Sequence, residues 1–584
     1  MARVKLAKNA GFCMGVRRAV DMALEEARKK SGPIYTYGPL IHNPQVLGIL
    51  EGKGVKTLSG KCLSFPEEGT PATVIIRAHG VSPEERKGLK DSGVRILNAT
   101  CPHVGKVQGI IQRHAKDGYT AVIVGDKDHA EVIGLLGYAN GKGYVVNTPE
   151  ELESLPALEK VCLVAQTTQD QKQFQSFAAA MQKKFPAAKV FNTVCDSTSR
   201  RQEEVSALAK KVEAMVVVGG KESGNTRRLA KISRETGVPT FHVETENDLD
   251  PRELSRYSVV GVTAGASTPN WLILKVVDRL GRLRRHKGMA YYLESLGRLA
   301  AISYLFLALG AGCLAYASVM IQGIHPKLSW ALVASFYVFS MHVLNRSTDK
   351  ASERYNQPGR TEFYERWGSW MILAGVISAG VALALAWFQG PMPFLLILAI
   401  SGLGMIYNIR IFPGGPGNRV RYQRLRDIPG SKTVFVALAW GTVTSILPAL
   451  AAGEWFPHGT AVAFVFSVIL VFIRSALYDL KDIQGDLMVG KETIPIVLGR
   501  WKAEVLVASL LIFLGGLLIV AGSLKWAAPV TPWLLFSLGY VVIYYWLYRR
   551  QVVSRGFLFE GLVDGSFLFA GILAFIWSLS QRYF

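Results

Sequence analysis

Three cysteines recur at wide but similar intervals in this 584-residue chain: Cys13, Cys101 and Cys195, 88 and 94 residues apart. Each stands in a small or polar turn ahead of a helical stretch, in GFCMGVRRAV, ATCPHVGKVQ and TVCDSTSRRQ. Thiolates are the ligands of iron–sulfur clusters. Three of them on a cuboidal cluster leave one iron without a protein thiolate and open to a substrate oxygen, and a helix N-terminus behind each sulfur favours the anion. Scattered cysteines equally read as small buried hydrophobes, so their polar surroundings decide.

His42 in GPLIHNPQV, His79 in RAHGVSP and His129 in DHAEVIG fall at strand-to-loop or loop-to-helix junctions, as do the run KESGNT and the loop TAGAST. Imidazole, hydroxyl, amide and exposed backbone N–H groups are what a diphosphate pocket uses. Glu131, two residues after His129, is a candidate proton donor to an alcohol that leaves as water. Thr167, in AQTTQD, is placed to relay that proton; both residues could also simply cap helices.

A second acidic chemistry lies further along. HVLNRSTDKASERYNQPGR places Asn345, Asp349 and Glu353 at helical spacing, and YDLKDIQGDLMVGKETIPIVLG does the same for Asp479, Asp482 and Asp486. Two facing acidic helices can hold Mg²⁺ ions that bridge a diphosphate and stabilise its departure. The alternative is a solvated loop beside a membrane. Lys432 and Arg424, both in RLRDIPGSKTV, are candidates to assist with the diphosphate.

The elements that must carry these residues change character near Arg285. Before it, TVIIRAHG, TAVIVGD, VCLVAQT, AMVVVGG and SVVGVTAG read as buried strands followed by helices, hence parallel α/β structure with ligands at the carboxyl ends of strands. The cysteine spacing suggests three lobes, each giving one ligand to a shared centre. After it, nine apolar segments, centred near Phe306, Ala334, Ile377, Leu398, Ala439, Val468, Leu511, Leu538 and Leu573, are each expected to supply the roughly 20 helical residues that cross a bilayer. The expected division is 1–282, a basic linker 283–297, and 298–584. Long basic loops follow the even-numbered spans, which places them and the first domain in the cytoplasm of a multi-pass inner (cytoplasmic) membrane protein. The net charge of +22 is concentrated in such flanks, so nucleic acid is not an expected partner. The N-terminus lacks an apolar core of signal-peptide length, and six cysteines without close pairs do not form a disulfide framework.

Taken in order, NAGFCMGVRRAV, GPLIHNPQV, RAHGVSP, NATCPHVGKVQ, HAEVIGLLGYA, AQTTQD, VCDSTSRRQE, GGKESGNTRRL and GVTAGAST resemble the 4-hydroxy-3-methylbut-2-enyl diphosphate reductase (LytB/IspH) family across residues 1 to 280. The resemblance implies a central [4Fe–4S] cluster on Cys13, Cys101 and Cys195, and reductive dehydroxylation to isopentenyl and dimethylallyl diphosphate. Electrons would come from ferredoxin, flavodoxin or an NADPH-dependent system. It assigns His42, His79, Ser223, Asn225 and Ser267 to the diphosphate, His129 to the same pocket, Glu131 to proton delivery and Thr167 to the substrate hydroxyl. Gly224 stands where many members have a second serine. From Gly297 onward, DLKDIQGD with GKETIP, and NRSTDKASE, resemble the UbiA prenyltransferase superfamily. This implies nine transmembrane helices, Mg²⁺, a prenyl diphosphate and an acceptor; Glu353 replaces the usual aspartate. The other readings are a non-catalytic membrane anchor and a tethered iron–sulfur sensor.

Overall fold

The computed structural model describes residues 3–29, 32–58, 72–282, 289–346, 355–407, 425, 428–453, 457–489, 491–550 and 557–583. The chain divides into two units, Met1–Lys287 and Gly288–Phe584.

The first unit contains three four-stranded sheets, every pairing parallel. One lobe orders β2 (Ile34–Tyr37), β3 (Val55–Leu58), β4 (Thr73–Ile76) and β5 (Arg95–Asn98) as β3-β2-β4-β5. A second orders β6 (Thr120–Val124), β7 (Gly143–Val146), β8 (Val161–Ala165) and β9 (Lys189–Val190) as β7-β6-β8-β9. The third uses β10 (Ala214–Val218), β11 (Thr240–Val243) and β12 (Val259–Ala264) in the same way, and takes β1 (Arg3–Leu6) from the chain's start as its fourth strand. Each lobe therefore runs 2-1-3-4 across its sheet. In that order the crossovers leave the first strand to one side and the third to the other, opening a crevice at their carboxyl ends.

Five of the six central strands are continuous apolar runs: Thr73–Ile76, Val161–Ala165 and Ala214–Val218 are buried throughout, and β6 and β12 after their first residue. A parallel strand covered on both faces needs this pattern. Each wholly buried valine, such as Val216 or Val217, contributes about 1.5–3 kcal/mol.

The second unit is helical. Seven helices are long and apolar enough to cross a membrane by length and composition: Leu305–Gln322, Leu328–Arg346, Pro358–Trp387, Ser431–Ala452, Pro457–Ile483, Arg500–Ser523 and Phe559–Gln581. Helices also form at the expected fourth and eighth segments, Pro391–Ile406 and Leu535–Arg549, but at 16 and 15 residues they fall short of the expected length. The expected span around Phe306 is broken. Helix Met289–Ile302 ends and Leu305–Gln322 begins about Tyr304, whose φ of 67° interrupts the backbone. Tertiary contacts hold that kink: the Tyr304 ring faces the Arg360 guanidinium at 4.6 Å and the His342 ring at 5.3 Å. Of the expected linker, residues 289 onward are helical and 283–288 lie outside the described residues. Close packing uses small residues. A Cβ on Gly571 would stand 2.8 Å from the Cys313 carbonyl oxygen on the neighbouring helix.

Candidate active site

The three cysteines occupy equivalent places. Cys13 follows β1, Cys101 follows β5 and Cys195 follows β9, the fourth strand of each lobe. A helix begins directly after each, at Met14, Pro102 and Asp196. The Val16 N–H points to the Cys13 Sγ at 3.4 Å. Burial pushes the Cys101 and Cys195 thiols up, while the N–H groups of His103 and Val104, and of Ser197 and Thr198, pull the other way. The thiols are near enough that a charge on Cys13 is felt at both other sulfurs. The helix after Cys13 packs directly on Cys101: a Cβ on Gly15 would stand 2.4 Å from the Cys101 Sγ. Arg18, on the same helix, donates to the carbonyls of Asn98 and Thr100 beside that cysteine.

The backbone ties these thiols to the pocket in the same way three times. The amide of Cys13 donates to Ala266 O at 3.1 Å, that of Cys101 to Ala78 O at 2.9 Å, and that of Cys195 to Thr167 O at 2.9 Å. Each acceptor lies in the loop after the third strand of the same lobe, at or beside Ser267, His79 and Thr167. The loops after the first strands supply His42, His129 and Ser223, and the first turns of the helices that follow supply Glu131 and Asn225. Every polar residue expected in the first pocket is therefore at a strand crevice of one of three lobes.

The three imidazoles meet. Ring centroids are 4.7 Å apart for His42 and His79, 5.2 Å for His79 and His129, and 5.5 Å for His42 and His129. All three are held below the usual histidine range: His42 by burial and then Arg77, His79 by burial and then its two imidazole neighbours, and His129 by burial and then His42, to about 4. They are neutral at pH 7. His129 accepts the Glu131 N–H at its Nδ1 (3.1 Å), so its proton sits on Nε2, free to donate. Ser267 Oγ donates to His42 O at 3.1 Å and lies 3.5 Å from Ser223 Oγ. His42 Nε2, His79 Nδ1 and both amide atoms of Asn225 are buried without a protein partner among the described residues. Orphaned buried polar atoms converging from two lobes suit an anionic ligand. A Cβ on Gly224 would lie 3.6 Å from His129 Cδ2, so a side chain here would border the same pocket. A cleft of about 1950 Å³, lined by His42, His129, Gly224 and Arg227 among others, opens beside it.

Glu131 is 1% exposed. Its Oε1 accepts the Thr167 N–H at 2.6 Å and its Oε2 lies 2.9 Å from Thr167 Oγ1. Burial raises its pKa from the ordinary carboxyl value, against the pull of those two bonds. Burial biases a carboxyl so placed toward its protonated form, and the threonine hydroxyl lies within reach to relay a proton.

In the helical unit, Asp479, Asp482 and Asp486 lie along helix Pro457–Val489. Thr433 donates to Asp479 at 3.0 Å and Asn356 to Asp486 at 3.1 Å. Asn345 is half-buried near the end of helix Leu328–Arg346 and Lys432 is exposed. Asp349, Glu353 and Arg424 lie outside the described residues. Sequence reasoning missed a second acidic pair, Glu560 and Asp564, four apart on the last helix. Arg360 donates to Glu560 at 2.7 Å and Lys481 pairs with it at 3.4 Å, while Arg474 donates to Asp564 at 2.8 Å. The signal available was two carboxylates at i, i+4 in an apolar stretch, where charge is costly without partners.

Three cysteines, one from each lobe, beside a neutral-imidazole pocket define the site of a three-lobed parallel α/β domain; a helical domain with an acidic face follows it in sequence. The LytB protein family model matches residues 4–281, and the UbiA prenyltransferase family model matches residues 304–579. The chain is 42% identical to the 4-hydroxy-3-methylbut-2-enyl diphosphate reductase of Opitutus terrae over 288 residues, 48% of this chain and 100% of that protein. It is 46% identical to the enzyme of the same name from Geobacter sulfurreducens over 278 residues, 47% of this chain and 96% of that one. Among solved structures, (E)-4-hydroxy-3-methyl-but-2-enyl diphosphate reductase aligns at 43% identity and a TM-score of 0.37, covering 48% of this chain and all of that one. A UbiA homolog from Archaeoglobus fulgidus bound to GPP and Mg²⁺ aligns at 16% identity and a TM-score of 0.35, covering 48% and 98%. The chain belongs to the LytB family through its first unit, fused to a UbiA-family domain.

Proposed function

We propose that residues 1–282 reduce 4-hydroxy-3-methylbut-2-enyl diphosphate to isopentenyl and dimethylallyl diphosphate. The observation that carries this is the threefold hydrogen bond from each cysteine amide to a pocket loop, which joins the thiol centre to the pocket in every lobe. Cys13, Cys101 and Cys195 would hold a [4Fe–4S] cluster; thiol donors backed by helix N-termini fit such an anion. When bound, the cluster supplies electrons singly and an iron that no protein thiolate covers. His42 and His79 would hold the diphosphate with Ser223, Asn225 and Ser267, and His129 would donate from Nε2 at the same pocket. Glu131 delivers a proton by way of Thr167, so that the allylic C–O bond breaks with water as the leaving group. Two electrons and a second proton, which ends on carbon, complete the balance. Ferredoxin, flavodoxin or an NADPH-dependent system is the electron donor in this reading. Anaerobic purification followed by iron and sulfide analysis, and assay on the hydroxylated diphosphate with a strong reductant, tests it. A protein that binds no iron and turns over no substrate under those conditions would sink it.

The domain 298–584 is proposed to sit in the cytoplasmic membrane and transfer a prenyl group from a prenyl diphosphate, with Asn345, Asp349, Glu353, Asp479, Asp482 and Asp486 serving Mg²⁺ and diphosphate. An anchor needs none of these acids near its helices. Asp482→Asn is expected to lower Mg²⁺-dependent transfer by about 100-fold, the scale of losing one charge-stabilising group. Unchanged transfer would favour the anchor.

A further inference from the structure

Helix Asp196–Ala209, which starts right after Cys195, packs by Val205 and Ala209 into the lobe that contains β1, and carries two charged side chains toward the chain's first loop. Glu204 accepts the N–H groups of Lys8 at 2.5 Å and Asn9 at 2.8 Å, and the Asn9 side-chain amide at 2.9 Å. Arg201, one turn earlier, donates from Nη2 to Gly11 O at 2.6 Å and from Nη1 to Ser197 O at 3.1 Å and to the Ser197 hydroxyl. Together they grip residues 8–11, the segment that runs into Cys13, and fasten it to the turn that follows Cys195.

Arg201 is only 5% exposed, and its Nε–H is buried with no protein partner among the described residues. A guanidinium stays charged at any relevant pH, and burying one without a counter-charge is costly. Glu204, the nearby carboxylate, is committed to three N–H donors. The charges that most favour the guanidinium are the thiolates of Cys13 and then Cys195, with Glu204 after them. A fixed buried cation hydrogen-bonded to the loops of two cysteines is placed to offset negative charge gathered on their sulfurs.

We propose that Arg201 is the buried counter-charge of the three-cysteine centre, a positioning residue that locks the Cys13 loop to the Cys195 turn and raises the reduction potential of the cluster held there. The proposal rests on the cluster reading above. Charge and hydrogen bonding around a cluster set how readily it accepts an electron, and a nearby cation favours the reduced, more negative state.

The test is a dithionite titration of the anaerobically purified full chain, monitored by electron paramagnetic resonance, with iron and sulfide content measured on the same samples. Arg201→Gln removes the charge and is expected to make one-electron uptake about tenfold less favourable, about 59 mV more negative. Arg201→Lys keeps the charge and should stay near the wild-type potential, as should Ser197→Ala, which removes only a hydrogen bond. A loaded Arg201→Gln protein with the wild-type potential overturns the proposal, as does Arg201→Lys shifted as far as Arg201→Gln. If Arg201→Gln binds no iron, Arg201→Lys decides: wild-type loading and potential support the proposal, and absence of iron refutes it. A wild-type chain without a cluster would instead remove the reading beneath it, an outcome visible in the iron analysis alone.

Discussion

Replacing Glu131 by glutamine alters one atom of a buried pair and almost nothing of its shape. The glutamine oxygen can still accept the Thr167 N–H, now at 2.6 Å, and its NH₂ can donate to the Thr167 hydroxyl, now 2.9 Å from the carboxyl. Both partners stay satisfied, so the cost to stability should be no more than about 1 kcal/mol. What disappears is the ionisable carboxyl, whose protonated form burial favours. A positioned general acid is worth about 10²–10⁴ in rate. At about 1.4 kcal/mol per tenfold, that is about 3–5.5 kcal/mol of barrier. The assay follows oxidation of a reduced viologen dye by the hydroxylated diphosphate under anaerobic conditions, with kcat and KM separated and iron measured in parallel. The expected result is full iron content, a nearly unchanged KM, and kcat lower by about 10²–10⁴. A fully loaded Glu131→Gln enzyme that keeps more than about a tenth of wild-type kcat, one decade of the two to four expected, would refute the proton-delivery role. A loss of activity that only tracks a loss of iron would also refute it.

Gly15→Ala should empty the centre, because its Cβ would stand 2.4 Å from the Cys101 sulfur while the Cys101 amide is held on Ala78 O; iron analysis after anaerobic reconstitution checks this, and normal loading would contradict it. His129 titrates at about 4 in the folded chain against an ordinary 6.5. Since the folded value is depressed, its contribution to stability is present above pH 6.5 and is lost as pH falls toward 4, to a limit of about 3 kcal/mol. His129→Gln should therefore flatten the fall in unfolding temperature of the first domain across that window, and an identical pH profile would exclude the assignment. Glu560→Gln leaves Arg360 and Lys481 short of their shared carboxylate and should destabilise the helical domain by about 3 kcal/mol. Unfolding in mixed detergent micelles measures it, and an effect below about 1 kcal/mol, the scale of an exposed pair, would mean the pair is solvated.

Five of the six central strands were legible because strands buried on both faces carry unbroken apolar runs. The sixth, Ile34–Tyr37, alternates in burial, and edge strands such as Arg95–Asn98 and Lys189–Val190 are short and partly exposed, so none announced itself. The cysteines and histidines were legible by type and by their place at strand ends. The three amide bonds joining them to pocket loops were not, since they follow from strand order rather than residue identity. In the helical domain, apolar length marked nine segments, but the kink at Tyr304 depends on contacts with Arg360 and His342. The acids of the last helix were equally hidden. Glu560 looks like a solvated helix-end residue until Arg360, 200 positions earlier, is brought beside it, and Asp564 needs Arg474, 90 positions away.

The shared 2-1-3-4 order explains why such different side chains converge. In each lobe the fourth strand lies beside the third, so the cysteine ending the fourth is one hydrogen bond from the loop ending the third. Three repeats of that relation close a centre of three thiols, and the same three crevices face one pocket. The frame is repeated but the chemistry is not. One lobe offers His42 and His79, another Ser223, Asn225 and Ser267, and the remaining one carries a buried carboxyl at its crevice, Glu131, with its hydroxyl relay. Two lobes thus suit an anion and one suits proton delivery. In the proposed reaction, a substrate held by its charged end on the first two would present its other end to Glu131 and Thr167, and Thr167 is the residue whose carbonyl holds Cys195. That division would put the leaving hydroxyl of the diphosphate substrate beside both the proton source and the three cysteines.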